Sequence, residues 1–166
     1  MSVAHFGVGL FVLGVTVVSA FNVETDQAMR SGGKLDVAGY SFELRELRDA
    51  EGPNFTAIEG RVEIRKDEEL IGEVLPQKRR YLVQQSPMTE AGIDAGWNRD
   101  LFIALGDPIG NDTWSVRIQY KPLIRFIWLG AFIMALGGLI AITDRRYRSK
   151  VRKTAAVDAA AAEAPA

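Results

Sequence analysis

His5 is the single histidine of this 166-residue chain, and the chain has no cysteine. Nitrogen ligation of a metal, or proton transfer near neutral pH, therefore rests on one imidazole. The composition excludes a disulfide framework, a CxxC redox pair, a thiolate metal site, a cysteine nucleophile and a CxxCH haem attachment site. It also excludes a histidine-rich metal cluster and leaves a catalytic triad in an aqueous pocket without its parts. His5 lies at the start of an apolar run, where a polar side chain is costly and has a reason to be there. Two readings stand. The ring is either a neutral imidazole near a helix end reaching lipid headgroups, or an axial ligand to haem iron in an apolar slot between helices. A site with two imidazole ligands would need its second one from another polypeptide.

The remaining polar clusters carry weaker chemistry. Asp67-Glu68-Glu69 lacks the spacing that builds a calcium cage and reads as a solvated hairpin tip. Lys78-Arg79-Arg80 reads as a solvent-facing strand, with phosphate, lipid headgroups or haem propionates as the anions it could meet. Asn54-Phe55-Thr56 and Asn111-Asp112-Thr113 match the glycosylation sequon. No GxGxxG, P-loop or HExxH is present, and the chain displays no active site of its own. With 20 basic and 21 acidic residues the net charge is −1, which gives no electrostatic footprint for nucleic acid.

The elements that must position His5 are membrane segments. The mean hydropathy of +0.02 averages two extremes: Met1 to Val23 and Phe126 to Thr143 carry no formal charge, and almost every charged residue lies between or after them. Phe126–Thr143 spans roughly 27 Å as a helix, close to the hydrocarbon thickness of a bilayer. Trp128 suits the headgroup level at one end. Arg145, Arg146, Arg148, Lys150, Arg152 and Lys153 mark the other end as cytoplasmic. Ala131 with Ala135, and Gly137 with Ala141, have the small-residue spacing that permits close helix packing. Phe6–Phe21 is equally apolar. Val18-Ser19-Ala20 resembles a signal-peptide cleavage site, but no Lys or Arg precedes the run, so a retained helix is the reading adopted. Two retained helices with the C-terminus inside place the middle region outside, in the periplasm of a Gram-negative cell.

The middle region reads as all-β. Arg61-Val62-Glu63-Ile64-Arg65 and Trp114 to Tyr120 alternate polar with apolar residues, and Tyr40, Phe42 and Leu44 share one face. Lys66–Glu69 and Asp107–Asp112 read as turns, and Leu101–Leu105 as a central strand apolar on both faces. About six to eight short strands would close a small barrel or sandwich. The expected organisation is thus a helix over 1–21, an extracytoplasmic all-β domain over 22–122, a helix over 123–143, and a cytoplasmic basic then disordered Ala-rich tail over 144–166.

Several strings, taken in order, resemble one family. They are Val3-Ala4-His5, Gly52-Pro53-Asn54-Phe55, Lys78-Arg79-Arg80-Tyr81, Met88-Thr89-Glu90-Ala91 and Arg99-Asp100-Leu101-Phe102-Ile103-Ala104-Leu105-Gly106. Trp114-Ser115-Val116-Arg117, Tyr120-Lys121-Pro122 before Phe126-Ile127-Trp128, Met134 to Gly138, and Asp144 to Arg148 complete them. Together they are similar to the C-terminal part of CcmF and its NrfE-type paralogues, the cytochrome c-type biogenesis proteins of the haem lyase complex. The resemblance implies an inner-membrane protein that acts with CcmH and CcmI. It would receive haem from the chaperone CcmE and direct its covalent attachment to apocytochrome c. It further implies a haem b held between two membrane histidines, with His5 at the position of the second. The family's tryptophan-rich haem-handling segment, its periplasmic histidines and its first membrane histidine are absent from this sequence. The expectation is therefore a fragment or the product of a split gene, not catalytic alone, that completes its site with the N-terminal part of CcmF. Gln77 replaces the acidic residue usual before Lys-Arg, which leaves any salt bridge there in doubt. The alternative is a membrane-tethered periplasmic β domain with a purely structural or protein-binding role. A third expectation is a secreted domain held by one C-terminal helix after cleavage at Ala20.

Overall fold

The computed structural model describes residues 2–83, 85–110 and 112–143. The basic run from Arg145 and the Ala-rich tail lie outside the described residues, as does Asn111 of the second sequon. Two long helices flank ten strands: α1 (Ser2–Phe21), β1 (Val23–Arg30), β2 (Lys34–Val37), β3 (Tyr40–Glu51), β4 (Phe55–Lys66), β5 (Glu69–Val74), β6 (Gln77–Tyr81), β7 (Pro87–Glu90), β8 (Gly92–Ala95), β9 (Arg99–Gly110), β10 (Thr113–Pro122) and α2 (Ile124–Thr143). The chain divides into two compact units, one formed by Met1–Val15 with the chain from Phe126 onward and the other by Thr16–Arg125.

Both helices are 20 residues long and apolar enough to cross a membrane. Neither contains proline, and a helix satisfies its own backbone where lipid cannot. The Thr143 hydroxyl donates to the Leu139 and Ile140 carbonyls at 3.2 and 2.9 Å, closing the last turn of α2.

The β unit is a two-layer sandwich in which every pairing is antiparallel. One sheet has the order β1-β10-β9-β8. The other runs β2-β3-β4-β6-β7, with β5 also paired to β4. Long β4 pairs with β3 along one edge and serves two neighbours along the other, Val62–Lys66 bonding β5 and Phe55–Glu59 bonding β6. Alternation decides what is buried. Phe42, Leu44, Val62 and Ile64 of one sheet meet Leu101, Ile103, Leu105, Val116 and Ile118 of the other, each at 1% exposure or less. Pro87, which lacks an N–H for the ladder, opens edge strand β7.

The alternating runs are strands with the expected faces, and β9 is an interior strand with Leu101 to Leu105 buried except Phe102. Asp67 and Glu68 form the two-residue tip between β4 and β5, with φ of 49° and 68°. That is the left-handed pair a tight hairpin turn needs. Two expectations differ from the outcome. The turn expected over Asp107–Asp112 is shorter, because β9 continues to Gly110 and β10 resumes at Thr113. The described residues form ten strands rather than six to eight, because β7 and β8 are four residues each and too short to show alternation.

Candidate functional site

α1 and α2 run antiparallel, and glycine backbones form their seam. A Cβ placed on Gly130 would stand 2.5 Å from the Phe11 amide nitrogen and 2.8 Å from the Gly7 carbonyl oxygen. One on Gly137 would be 2.5 Å from the Ala4 nitrogen, one on Gly7 2.7 Å from the Met134 nitrogen, and one on Gly14 2.8 Å from the Ile127 nitrogen. No L side chain fits at any of the four. Seven residues separate Gly7 from Gly14 and Gly130 from Gly137, so each pair returns to one helical face. The expected Ala131 and Ala135 are not the contact positions, since Ala135 is exposed; of the small residues singled out, Gly137 is the buried one. Helix spacing in lipid is set by how closely backbones approach, and hydrogen at Cα permits more than methyl does.

His5 follows Ala4 and is exposed on α1, turned away from the closed seam. The seam has no room for a flat macrocycle, so no haem slot lies between these two helices. The outer side of α1 is different: Gly9, one turn after His5, has nothing within 4 Å of a Cβ built on it. An exposed imidazole beside an open glycine is a donor that would suit a haem group on this outer face.

The sandwich places its charged clusters in ion-pair ladders. Glu43 and Glu63 sit directly opposite each other on β3 and β4, a like-charge pair. Arg45 bridges them, at 2.6 Å to Glu43 and 2.8 Å to Glu63, while Lys34 and Arg65 extend the ladder at 3.4 and 2.8 Å. Hydrogen bonds from Arg45 and then Arg65 pull the Glu63 carboxyl from its ordinary 4.5 to about 2. Lys34, Asp36, Ser41, Arg65, Asp67 and Glu68 rim an open polar depression of about 660 Å³ over this ladder. Asp67-Glu68-Glu69 belongs to no cluster of three metal-ligating side chains among the described residues.

Lys78-Arg79-Arg80 is strand β6, and its charges are engaged within the sandwich. Lys78 pairs with Asp107 at 2.9 Å, and Arg79 pairs with Glu90 at 3.1 Å while lying over the Phe55 ring. Arg80 is exposed. Gln77 accounts for its own departure from the acidic residue. Its amide nitrogen donates to Glu59, which is 6% exposed, and its carbonyl oxygen accepts from Arg79 at 2.8 Å. Burial pushes the Glu59 carboxyl up, but hydrogen bonds from Gln77 and Arg48 and the Arg48 charge outweigh it and hold it below the ordinary value. An acid at 77 would set a second carboxylate against Glu59.

These carboxylates make the sandwich acid-sensitive. Asp26, Glu59 and Glu63 all have folded-state pKa values below their ordinary ones, Asp26 chiefly through its hydrogen bond from Arg117. Their contribution is complete above the unfolded values and disappears as pH falls through the folded ones. The thermal stability of the sandwich should therefore fall progressively between about pH 4.5 and pH 2. Glu63→Gln should flatten that slope, and an equal slope in the variant would refute the assignment.

Residues 20–122 match the family model described as the CcmF C-terminal beta-sandwich, nearly coextensive with β1 to β10. The chain belongs to the CcmF family. It is 45% identical over 152 residues to the cytochrome c-type biogenesis protein CcmF of Pseudomonas fluorescens, covering 92% of this chain and 23% of that relative. Identity to the Escherichia coli K12 CcmF is 39% over 157 residues, covering 93% of this chain and 24% of that protein. The NrfE of Haemophilus influenzae is 32% identical over 150 residues, covering 90% and 24%. A solved structure titled Cytochrome c Heme Lyase CcmF shares the fold, with a TM-score of 0.69 at 18% identity over 86% of this chain and 24% of that one. The chain spans about a quarter of the length of these relatives. The family's sandwich, flanked here by two long apolar helices, is thus the part in hand.

Proposed function

We propose that this chain is the C-terminal segment of a CcmF-type haem lyase, and that His5 gives one axial nitrogen to a haem b on the outer side of α1. The observation that carries the reading is the placement of the imidazole: it is turned away from a seam that glycine backbones already close, beside an open glycine one turn on. When bound, haem b would supply one-electron redox chemistry. The chain's own part would be to hold the haem through His5, with Phe6, Val8 and Val12, exposed on the same helix, shielding it from water. The second ligand would come from the N-terminal part of CcmF. CcmH, CcmI, the haem chaperone CcmE and apocytochrome c are the partners this reading requires. The segment would lie in the inner membrane, with the sandwich as a periplasmic scaffold beside the site of covalent haem attachment.

Co-expression with the upstream spans should give a b-type reduced-minus-oxidised absorption spectrum with two imidazole ligands. His5→Ala should remove that spectrum while the protein remains in the membrane. An unaltered spectrum would reject the role of His5 and leave the tethered sandwich as a structural or protein-binding element.

A further inference from the structure

The hairpin tip between β8 and β9 is tied to the root of α2. Gly96 N–H donates to the Arg99 carbonyl at 2.8 Å, which closes a tip formed by Trp97 and Asn98. A Cβ on Gly96 would stand 2.8 Å from that same carbonyl, so the turn requires glycine. The Asn98 carbonyl accepts from the Leu123 amide at 2.8 Å. Leu123 lies one residue before α2 and has φ of 52°, a left-handed conformation that is strained for a leucine. The β8–β9 tip is thus fastened to the strained residue at the root of α2. Arg125, in the first turn of α2, holds Asp100 of β9 at 3.2 Å and fastens the same place a second time.

Trp97 is 72% exposed at this tip, and Ile93 of edge strand β8 is exposed beside it. The tip sequence Ala95-Gly96-Trp97-Asn98 carries no charge. The two acids that flank it are each matched by an arginine, Asp94 by Arg99 and Asp100 by Arg125. A large amphipathic ring on an uncharged tip is poorly suited to water and well suited to the headgroup zone, where tryptophan is enriched. We propose that Trp97 inserts into the phospholipid headgroup region beside the entry of α2 and fixes the sandwich against the bilayer. The proposal rests on α2 crossing the membrane and is independent of haem.

The test uses the full chain in nanodiscs of phosphatidylcholine brominated either near the headgroup end of the acyl chain or near its terminal methyl. The chain has three tryptophans, so two substitutions isolate each one. Trp114→Phe with Trp128→Phe leaves Trp97; Trp97→Phe with Trp114→Phe leaves Trp128 as the gauge of α2 insertion. Trp97 emission should be lost to shallow bromine and persist with deep bromine. An unquenched Trp97 beside a quenched Trp128 overturns the proposal. That holds whether the ring emits as a wetted tryptophan or as one buried on protein. If neither residue is quenched, the span itself fails and the proposal falls with it. Should Trp114→Phe disturb the sandwich, the loss of shallow quenching between the native chain and Trp97→Ser, which alters only the exposed tip, reads the same quantity.

Discussion

Gly130→Leu is expected to separate α1 from α2. Its first added carbon would meet backbone, the Phe11 nitrogen and Cα and the Gly7 carbonyl, rather than the yielding end of a side chain. Adding atoms to a well-packed contact costs about 1–3 kcal/mol when neighbours can shift, and backbone of a regular helix cannot shift locally. The helices must move apart as whole bodies. In lipid nothing equivalent to the hydrophobic effect draws them together again, so the loss of close contact is a loss of the pair. Nitroxide labels at Val8→Cys and Phe132→Cys, both on outward faces and in a chain without native cysteine, would report a longer and broader distance distribution. Gly138→Leu is the control: nothing lies within 4 Å of a Cβ there, and its distribution should match the parent. Equal distributions for Gly130→Leu and the parent would refute the seam.

The second large effect lies in the sandwich. Phe42→Ala should destabilise it by about 3–5 kcal/mol, a large part of what a domain of this size has in total. Phe42 is completely buried, paired in register with Leu35 and Ile64. Phe102, half-buried on the outer face of β9 with Lys121 over its ring, should cost under about 1 kcal/mol on the same change. Denaturant unfolding of the full chain, followed through Trp114 at the edge of the core, measures both. Similar midpoint shifts for the two variants would contradict the assignment of faces.

Particular residues show what sequence makes legible. Val62, Ile64, Val116 and Ile118 declare their strands because one face of each is wet, and alternation is the trace of that asymmetry. The seam of α1 and α2 leaves no such trace. A helix surrounded by lipid is apolar on every side, so the inward face of Gly7 and Gly14 differs from the outward one in size and not in polarity. The seven-residue spacing of glycine on both helices was the available signal, and it weighs little until the two are set side by side. Gln77 could not be explained from its neighbours in sequence, because its partner Glu59 reaches it only through the pairing of β4 with β6. Trp97 was equally silent; a tryptophan in a loop acquires meaning once Asn98 is found bonded to the root of α2. His5 stood out by being the sole imidazole, and the resemblance, rather than spacing, gave it a role.

One pairing in the sandwich has a consequence for how the chain is made. β1 is an edge strand paired with β10, so the first strand of the sandwich waits for its last. Val23 meets Tyr120 only after nearly the whole domain has been synthesised. Until that moment an unsatisfied strand edge is on offer to any passing chaperone or aggregate.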